Sequence, residues 1–143
     1  MALQEKIIVC GTGPTILGMV LRFVAGLAFL EHGLAKLVGF PPALPFIHMA
    51  HLPPLELAAG WIETVGGALV CVGLFTRPAA FLMSGEMAIG YFMEHAPHSF
   101  FPLLNGGDAA LLFCFVFLYL AVAGGGPVGL GRALCGPGGR ALS

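Results

Sequence analysis

Long apolar stretches separated by short polar segments are the feature of this sequence that most constrains its fold. The chain has 143 residues, of which 58% are hydrophobic and 9% are charged, whereas a soluble domain is usually about 25% charged. The mean hydropathy is +0.96. A bilayer offers no water to backbone polar groups, so a chain of this kind must form either helices or a closed barrel inside it.

The apolar stretches predict transmembrane helices. A barrel strand alternates apolar and polar residues over about ten positions, whereas these stretches are longer and continuous. A helix needs roughly 20 residues to cross the hydrocarbon core, and four stretches approach that length. We therefore predict a single all-α domain, an integral membrane four-helix bundle, with spans at residues 14–37, 55–75, 78–95 and 108–123 and a flexible tail at residues 124–143.

The basic residues between the predicted spans indicate the orientation of the chain. The loops at residues 38–54 and 95–107 contain no Lys or Arg. Since basic segments stay on the cytoplasmic side, both termini are predicted to be cytoplasmic, in a multi-pass protein of the inner (cytoplasmic) membrane. The formal net charge of −1 argues against nucleic acid as a partner and leaves the lipid bilayer as the expected surroundings. The basic residues that indicate this orientation are Lys6, Arg77, Arg132 and Arg140.

Ionisable residues inside the predicted spans are the candidate functional residues. A charge at bilayer depth costs roughly 2.5–3.5 kcal/mol on insertion scales, so such residues usually face the interior of a bundle and find partners there. At helical spacing each span presents one stripe that contains them. The stripes are Arg22, Gly26, Phe29, Gly33 and Lys36; Glu56, Gly60, Glu63 and Gly67; Met83, Glu86, Gly90 and Met93; and Asp108, Phe115, Tyr119 and Val122.

Glycines alternate with the charges in the first three stripes, and small residues allow helices to approach closely. The charged faces and the packing seams are therefore predicted to coincide, with Arg22 neutralised by Glu63, by Glu86 or by both. Two interpretations of this cluster stay open. The charges could only fix the geometry of the bundle, as buried ion pairs often do. Alternatively, a carboxyl with like-charged neighbours could exchange a proton during redox chemistry.

The histidines do not establish a metal site. His48 and His51, like His95 and His98, are spaced so that they could share a metal on a helix, but the flanking prolines work against helical spacing. We expect His95 to cap the polar interior instead, and the sequence assigns no role to the other three. The four cysteines form no CxxC pair, and the spans lack a pair of histidines for haem, so neither a metal nor a haem motif is evident.

Four segments resemble the DoxX family of small membrane proteins. They are "LRFVAGLAFLEHGLAKLVGF", "ELAAGWIETVGGALVCVGLFTRPAAFLMSGEMAIGYFMEH", "FFPLLNGGDAALL" and "AGGGP". The resemblance runs from Arg22 to Pro127 and implies a four-helix membrane protein linked to quinone-dependent oxidoreductases that handle sulfur or oxidative stress. The family commonly has Glu where this chain has Asp108, and "GPVGLGR" lacks the usual Ser-x-Asp. The motif positions implied are Arg22, Lys36, Glu63, Gly66, Gly67, Thr76, Arg77, Glu86, His95, Asn105 and Asp108.

Two functions are consistent with these observations. The first is a membrane subunit of, or associated with, a quinone-linked respiratory or sulfur-handling oxidoreductase, with quinone as its cofactor. The alternative is a non-catalytic accessory subunit that anchors or stabilises a larger membrane complex. Either one implies a protein partner or a homo-oligomer. The candidate catalytic residues are Glu63, Glu86 and Arg22, and the candidate cofactor-binding residues are Lys36, His95, Asn105, Asp108 and Tyr119.

Overall fold

A computed structural model of the protein describes residues 12–42 and 53–135, and this part of the chain is helical without strands. The all-α prediction is confirmed there. Each of the four stretches predicted as spans falls on a long helix. The elements are α1 (Thr12–Val38), α2 (Pro54–Val72), α3 (Thr76–Gly90) with a π-helical continuation (Tyr91–His95), α4 (Pro102–Asn105), α5 (Asp108–Ala123) and α6 (Leu130–Cys135).

Proline and glycine set the limits of α2. Pro54 occupies the first turn of the helix, where its missing N–H would have no partner anyway. Gly73 ends the helix in the left-handed conformation, with φ of 72°, and its N–H donates to Val70 O while Leu74 N–H donates to Leu69 O. This capping satisfies the last carbonyls. Because α3 begins at Thr76, the two helices are forced to run side by side in opposite directions.

The long helices share one apolar core. α1 packs along α2, α3 packs along α5, and α2 contacts α3. The core cluster includes Phe29 from α1, Val70 from α2, Met83 from α3 and Phe117 from α5, all essentially inaccessible. The Phe29 and Phe117 rings meet edge to face with centroids 4.7 Å apart, a favourable aromatic geometry. This contact joins the α1–α2 pair to the α3–α5 pair.

Glycines form the seam between α1 and α2, as the sequence predicts. A Cβ on Gly26 would lie 2.8 Å from Cys71 N and 3.0 Å from Gly67 O, and a Cβ on Gly67 would lie 2.6 Å from Leu30 N. These neighbours are backbone atoms, which cannot move aside cheaply. This close contact between the two helix backbones is therefore possible only because both positions lack a side chain.

Two of the described helices are long and apolar enough to cross a membrane. They cover Ile16–Val38 and Pro54–Val72, and the shorter α5 is also apolar. Many of their large apolar side chains face outward, including Phe23, Val24 and Trp61. A water-soluble protein rarely exposes contiguous apolar surface of this kind, so this outer surface suits contact with lipid.

The predicted stripe of α5 does not face the core. Asp108, Phe115, Tyr119 and Val122 are all exposed, while Phe117 is fully buried. Since α5 is apolar on every side, its sequence contains no polar face that could mark its orientation. Packing along α3, together with the edge-to-face contact of Phe117 with Phe29, selects the buried face instead. Asp108 and Tyr119 lie on the exposed face of α5 rather than on the predicted inward face.

The segment after α5, which is the first part of the predicted flexible tail, makes contacts within the fold. Gly124 and Gly125 are buried, and Gly131 N–H donates to Gly73 O at 3.1 Å. The chain up to α6 is therefore tied to the turn between α2 and α3. Residues 136–143 of the predicted tail lie outside the described residues.

The glycine seam predicts opposite effects for two Gly→Ala changes in α1. Gly26→Ala should lower stability by about 1–3 kcal/mol, because its methyl would overlap the α2 backbone. Among the described residues, a Cβ on Gly18 would meet no atom of a neighbouring element within 4 Å, so Gly18→Ala should leave stability unchanged or raise it by up to about 1 kcal/mol. Thermal denaturation of both variants in one mild detergent measures the difference. Equal melting temperatures would contradict the seam.

Candidate functional site

A partly buried ion pair joins α1 to α2. Lys36 Nζ donates to Glu63 Oε1 at 2.8 Å. Lys36 lies in the last turn of α1, and Glu63 lies at the middle of α2, where its side chain is 2% exposed compared with 21% for Lys36. Gly60 permits this approach, because a Cβ there would lie 3.2 Å from Lys36 Cβ. The pair therefore depends on the same close helix contact as the seam.

Glu86 of α3 brings a second carboxyl to this ion pair. Its side chain lies beside Glu63 and within electrostatic reach of Lys36. Among the described residues, Glu63 Oε2 and Glu86 Oε2 are both buried without a hydrogen-bond partner. Buried polar atoms are normally satisfied, and leaving one unsatisfied costs about 1–3 kcal/mol. The Lys36–Glu63–Glu86 cluster thus holds one ammonium and two carboxyls, and the two carboxyls lie close enough to share a proton.

Arg22 is not part of this cluster, contrary to the predicted pairing with Glu63 or Glu86. Its Nη1 donates to Gly125 O, and its Nη2 lies 3.5 Å from Cys71 O. The prediction assumed that the helices start at the same depth in the membrane. Instead, α1 begins well before the level of the α2–α3 turn, so Arg22 lies near the end of α2.

Arg22 instead joins three parts of the structure at that level. Its guanidinium connects α1 to the last turn of α2 and to the glycine segment that follows α5. Charge-assisted hydrogen bonds of this kind are stronger than neutral ones. They compensate part of the cost of burying a residue that is 6% exposed. The geometry gives Arg22 a structural role.

Asn105 organises the loop at the other end of α3. Its Nδ2 donates to Ser99 O at 2.8 Å and approaches Tyr91 Oη at 3.4 Å, while its Oδ1 accepts the Gly107 N–H at 2.7 Å. His95 Nδ1 lies 3.0 Å from Asn105 O. These contacts close the loop upon itself through residues that were predicted to bind a cofactor. His95 therefore contacts this loop.

The remaining predicted residues lie apart from the cluster. Asp108 begins α5 and Tyr119 lies near its end, both exposed. His98 is also exposed, whereas His48 and His51 lie outside the described residues. Within residues 12–42 and 53–135, no group of three or more His, Cys, Asp or Glu side chains is placed to hold a metal ion.

The structure also shows an apolar groove that sequence reasoning missed. It has a volume of about 270 Å³ and lies between α2 and α3. Its walls depend on how far the two helices stand apart, which helical periodicity does not give. The sequence feature that could have indicated the groove is Trp61, the single tryptophan of the chain. The groove is lined by Trp61, Ile62, Val65, Gly66, Leu69, Ala79 and Leu82.

Comparison with known proteins assigns the family. The sequence model of DoxX matches residues 17–96, which is more than half of the chain and includes the whole Lys36–Glu63–Glu86 cluster. The chain belongs to the DoxX family. With its two membrane-length helices, it is a DoxX-family membrane protein. Asn105, Asp108 and Gly125 lie beyond the matched segment.

Two relatives match along most of their length. An uncharacterized protein of Haemophilus influenzae is 44% identical over 113 residues, covering 77% of this chain and 84% of that protein. A Bacillus subtilis protein named "Putative oxidoreductase CatD" is 28% identical over 107 residues, covering 74% and 78%. A match of 33 residues to auxin efflux carrier component 5 of Arabidopsis thaliana, 64% identical, covers 23% of this chain and 9% of the carrier, which is too short to indicate a shared family. No solved structure matches the chain.

The ion pair predicts strong coupling between Lys36 and Glu63. Lys36→Met should destabilise the protein by up to about 3–5 kcal/mol, because it leaves an uncompensated buried carboxylate. Adding Glu63→Gln should recover most of that loss. A double-mutant cycle of thermal denaturation measures the coupling. Additive effects of the two changes would contradict a direct pair.

The Arg22 contacts predict a local effect on the segment after α5. Arg22→Met should release Gly125 and increase amide hydrogen exchange at residues 124–131, while exchange around Glu63 stays unchanged. Hydrogen exchange with mass spectrometry distinguishes the two regions. Faster exchange around Glu63 together with unchanged exchange at residues 124–131 would instead place Arg22 with the carboxyls.

Proposed function

We propose that this chain is the quinone-binding membrane subunit of a quinone-linked respiratory or sulfur-handling oxidoreductase. The observation that carries the proposal is the placement of Glu63 and Glu86 side by side, each with a buried oxygen that lacks a partner among the described residues. Two adjacent carboxyls and one ammonium form a group that can hold or release a proton inside an apolar structure. A purely structural ion pair would need only one carboxyl.

The residues of the cluster suit a quinone headgroup. A protonated carboxyl donates one hydrogen bond, and an ionised one accepts several, so the pair can bind either the carbonyl oxygens or the hydroxyls of such a ring. The bound quinone would supply two-electron redox chemistry that is coupled to proton transfer. A ligand here would also satisfy the two oxygens that are otherwise left without a partner.

The three side chains have different roles in this proposal. Lys36 holds Glu63 as a carboxylate through their 2.8 Å contact. Glu86, which has no such contact with a cation among the described residues, holds the exchangeable proton. Because Lys36 is partly exposed near the end of α1, protons would reach the site from that end of the helices.

The proposed topology is a four-helix bundle in the inner membrane with both termini cytoplasmic. It is supported by the lengths of α1 and α2 and by the absence of Lys and Arg from residues 38–54 and 95–107. The name of the Bacillus subtilis relative supports an oxidoreductase role. Because the proposed subunit carries no evident redox-centre motif, a partner protein would supply the electrons.

A non-catalytic accessory subunit is the second candidate. It is favoured by Arg22 and Asn105, two predicted site residues whose hydrogen bonds are made within the fold. An anchor of this kind would need a stable bundle and no ligand. The two candidates differ in what should happen when the carboxyl pair is altered without a change of shape.

Glu86→Gln distinguishes the two functions. We expect wild-type protein purified from native membranes in mild detergent to retain quinone, detected by mass spectrometry of extracted lipids and co-purified proteins. Glu86→Gln should keep the same partner proteins and melting temperature but bind quinone up to about tenfold more weakly, because the hydrogen bond from a neutral carboxyl is worth about 0.5–1.5 kcal/mol.

Glu31→Gln is the matched control, since Glu31 is an exposed glutamate of α1. It should leave quinone content unchanged. Loss of the partner proteins in Glu86→Gln together with loss of activity would favour the accessory role. A stoichiometric partner with no quinone in the wild type would do the same.

A further inference from the structure

We propose that the segment connecting α3 to α5, residues 96–107, enters the membrane and packs its apolar side chains against the acyl chains of the adjacent leaflet. This inference is independent of quinone binding and assigns an interaction surface whose partner is lipid. The segment exposes four large apolar side chains, with Phe100 at 87%, Phe101 at 60%, Leu103 at 82% and Leu104 at 72%. Clustered apolar exposure of this kind marks an interaction surface.

The lengths of the neighbouring helices set the depth of the segment. α5 has 16 residues and is about 24 Å long, which is less than the roughly 30 Å of hydrocarbon that a span must cross. It ends beside Gly125, which accepts from Arg22 near the last turn of α2. α3 starts from the same level, covers 15 residues and continues for five more to His95. α5 therefore begins below the level that His95 reaches, and the connecting segment fills the difference.

Contacts of Asn105 and Gly107 place the segment beside the end of this helix rather than beyond it. Asn105 O lies 3.0 Å from His95 Nδ1, and Asn105 Nδ2 lies 3.4 Å from Tyr91 Oη. A Cβ on Gly107 would lie 2.6 Å from the Tyr91 ring. Since Tyr91 and His95 belong to the π-helical continuation of α3, residues 105–107 lie at the depth of that continuation.

Most backbone polar groups of the segment are satisfied inside it, as apolar surroundings require. Pro97 and Pro102 have no N–H to satisfy. Asn105 closes the loop, because its Nδ2 donates to Ser99 O at 2.8 Å and its Oδ1 accepts the Gly107 N–H at 2.7 Å. The other N–H groups that donate within the segment or to the end of α3 are those of Ala96, His98, Phe101, Leu104, Asn105 and Gly106. Apolar side chains thus point outward while the backbone bonds to itself.

The remaining N–H groups place the segment at the boundary of the hydrocarbon. Those of Ser99, Phe100 and Leu103 donate to no acceptor among the described residues. At the boundary, headgroups and water can accept these hydrogen bonds, whereas nothing in the hydrocarbon centre could.

The charge of the segment selects acyl chains as the occupant. Residues 96–107 contain no Lys, Arg, Asp or Glu, whereas a site for an anionic headgroup would use basic side chains. Apolar exposure also extends along both helices that the segment joins, since Phe92 is 71% exposed and Leu112 is 66% exposed. The segment therefore continues the surface of the helices that suits contact with lipid.

Tryptophan fluorescence measures the surroundings of the segment directly. Trp61, the single tryptophan of the chain, is replaced by Trp61→Phe in the full-length protein, and Phe100→Trp or Leu104→Trp is then added. Each variant in phosphatidylcholine nanodiscs is quenched from the bilayer by dibrominated phosphatidylcholine and from water by iodide. We expect strong quenching by the brominated chains. The iodide quenching constant should be at least about threefold lower than for His98→Trp, because the hydrocarbon excludes ions.

Two controls frame this measurement. His98→Trp is the matched control, since His98 is an exposed polar residue of the same segment and should face water and headgroups. Phe115→Trp, at a position of α5 that is 61% exposed, should report full contact with acyl chains. Using both Phe100→Trp and Leu104→Trp guards against a folding defect in one variant. Adding phosphatidylglycerol should leave every quenching constant for brominated lipid unchanged, because the segment has no basic residue.

Other results overturn the proposal. Iodide quenching of Phe100→Trp and Leu104→Trp as strong as that of His98→Trp, without quenching by brominated lipid, would place the segment in water. Protection from both quenchers that is lost in nanodiscs holding a single copy would assign the surface to a second copy of the chain. Protection that exists only in native membranes would assign it to another protein. Quenching by brominated lipid only with phosphatidylglycerol present would replace acyl-chain contact by headgroup binding. None of these results bears on quinone content, so failure here leaves the proposed function standing.

Discussion

The close approach of α1 to α2 is the contact on which the other features depend. Gly26 and Gly67 remove the side chains that would separate the two backbones, and the short distance lets Lys36 reach Glu63 from the end of α1. The same contact brings Arg22 within reach of the last carbonyls of α2. In lipid, packing of small residues supplies the attraction that the hydrophobic effect supplies in water. Glycine positions therefore determine where the charged residues can meet.

The buried charges are divided between two levels of the helices, with different consequences. Arg22 donates to the backbone carbonyls of Gly125 and Cys71 and so joins the segment after α5 to the end of α2. The Lys36–Glu63–Glu86 cluster has one carboxyl more than it needs for an ion pair. About 21 Å separates Arg22 from Lys36 along α1, at 1.5 Å per residue. This separation leaves Glu86 without the second cation that the sequence suggested.

Much of the fold could be predicted from local sequence signals. Pro54 and Gly73 mark the ends of α2, and the alternation of glycine and charge identifies the buried faces of α1 and α2. These predictions succeed because polar groups in an apolar surrounding leave few alternatives. The prediction for α5 fails for the opposite reason, since a helix that is apolar all round can turn any face inward. Its buried face is set by packing along α3 and by the contact of Phe117 with Phe29 on α1, and these contacts join residues that are distant in sequence.

The sequence by itself determined that this chain is an all-α membrane protein of the DoxX family and that Glu63, Glu86 and Lys36 lie on inward faces, because helical periodicity and the cost of buried charge act locally. Only the tertiary structure decided which charges meet. Which charged side chains meet depends on how the helices are shifted relative to one another along their axes. Because α1 begins before the level of the α2–α3 turn, Arg22 donates to Gly125 O and Lys36 donates to Glu63. The groove beside Gly66 was likewise decided by the distance between two helices, which no single helix encodes.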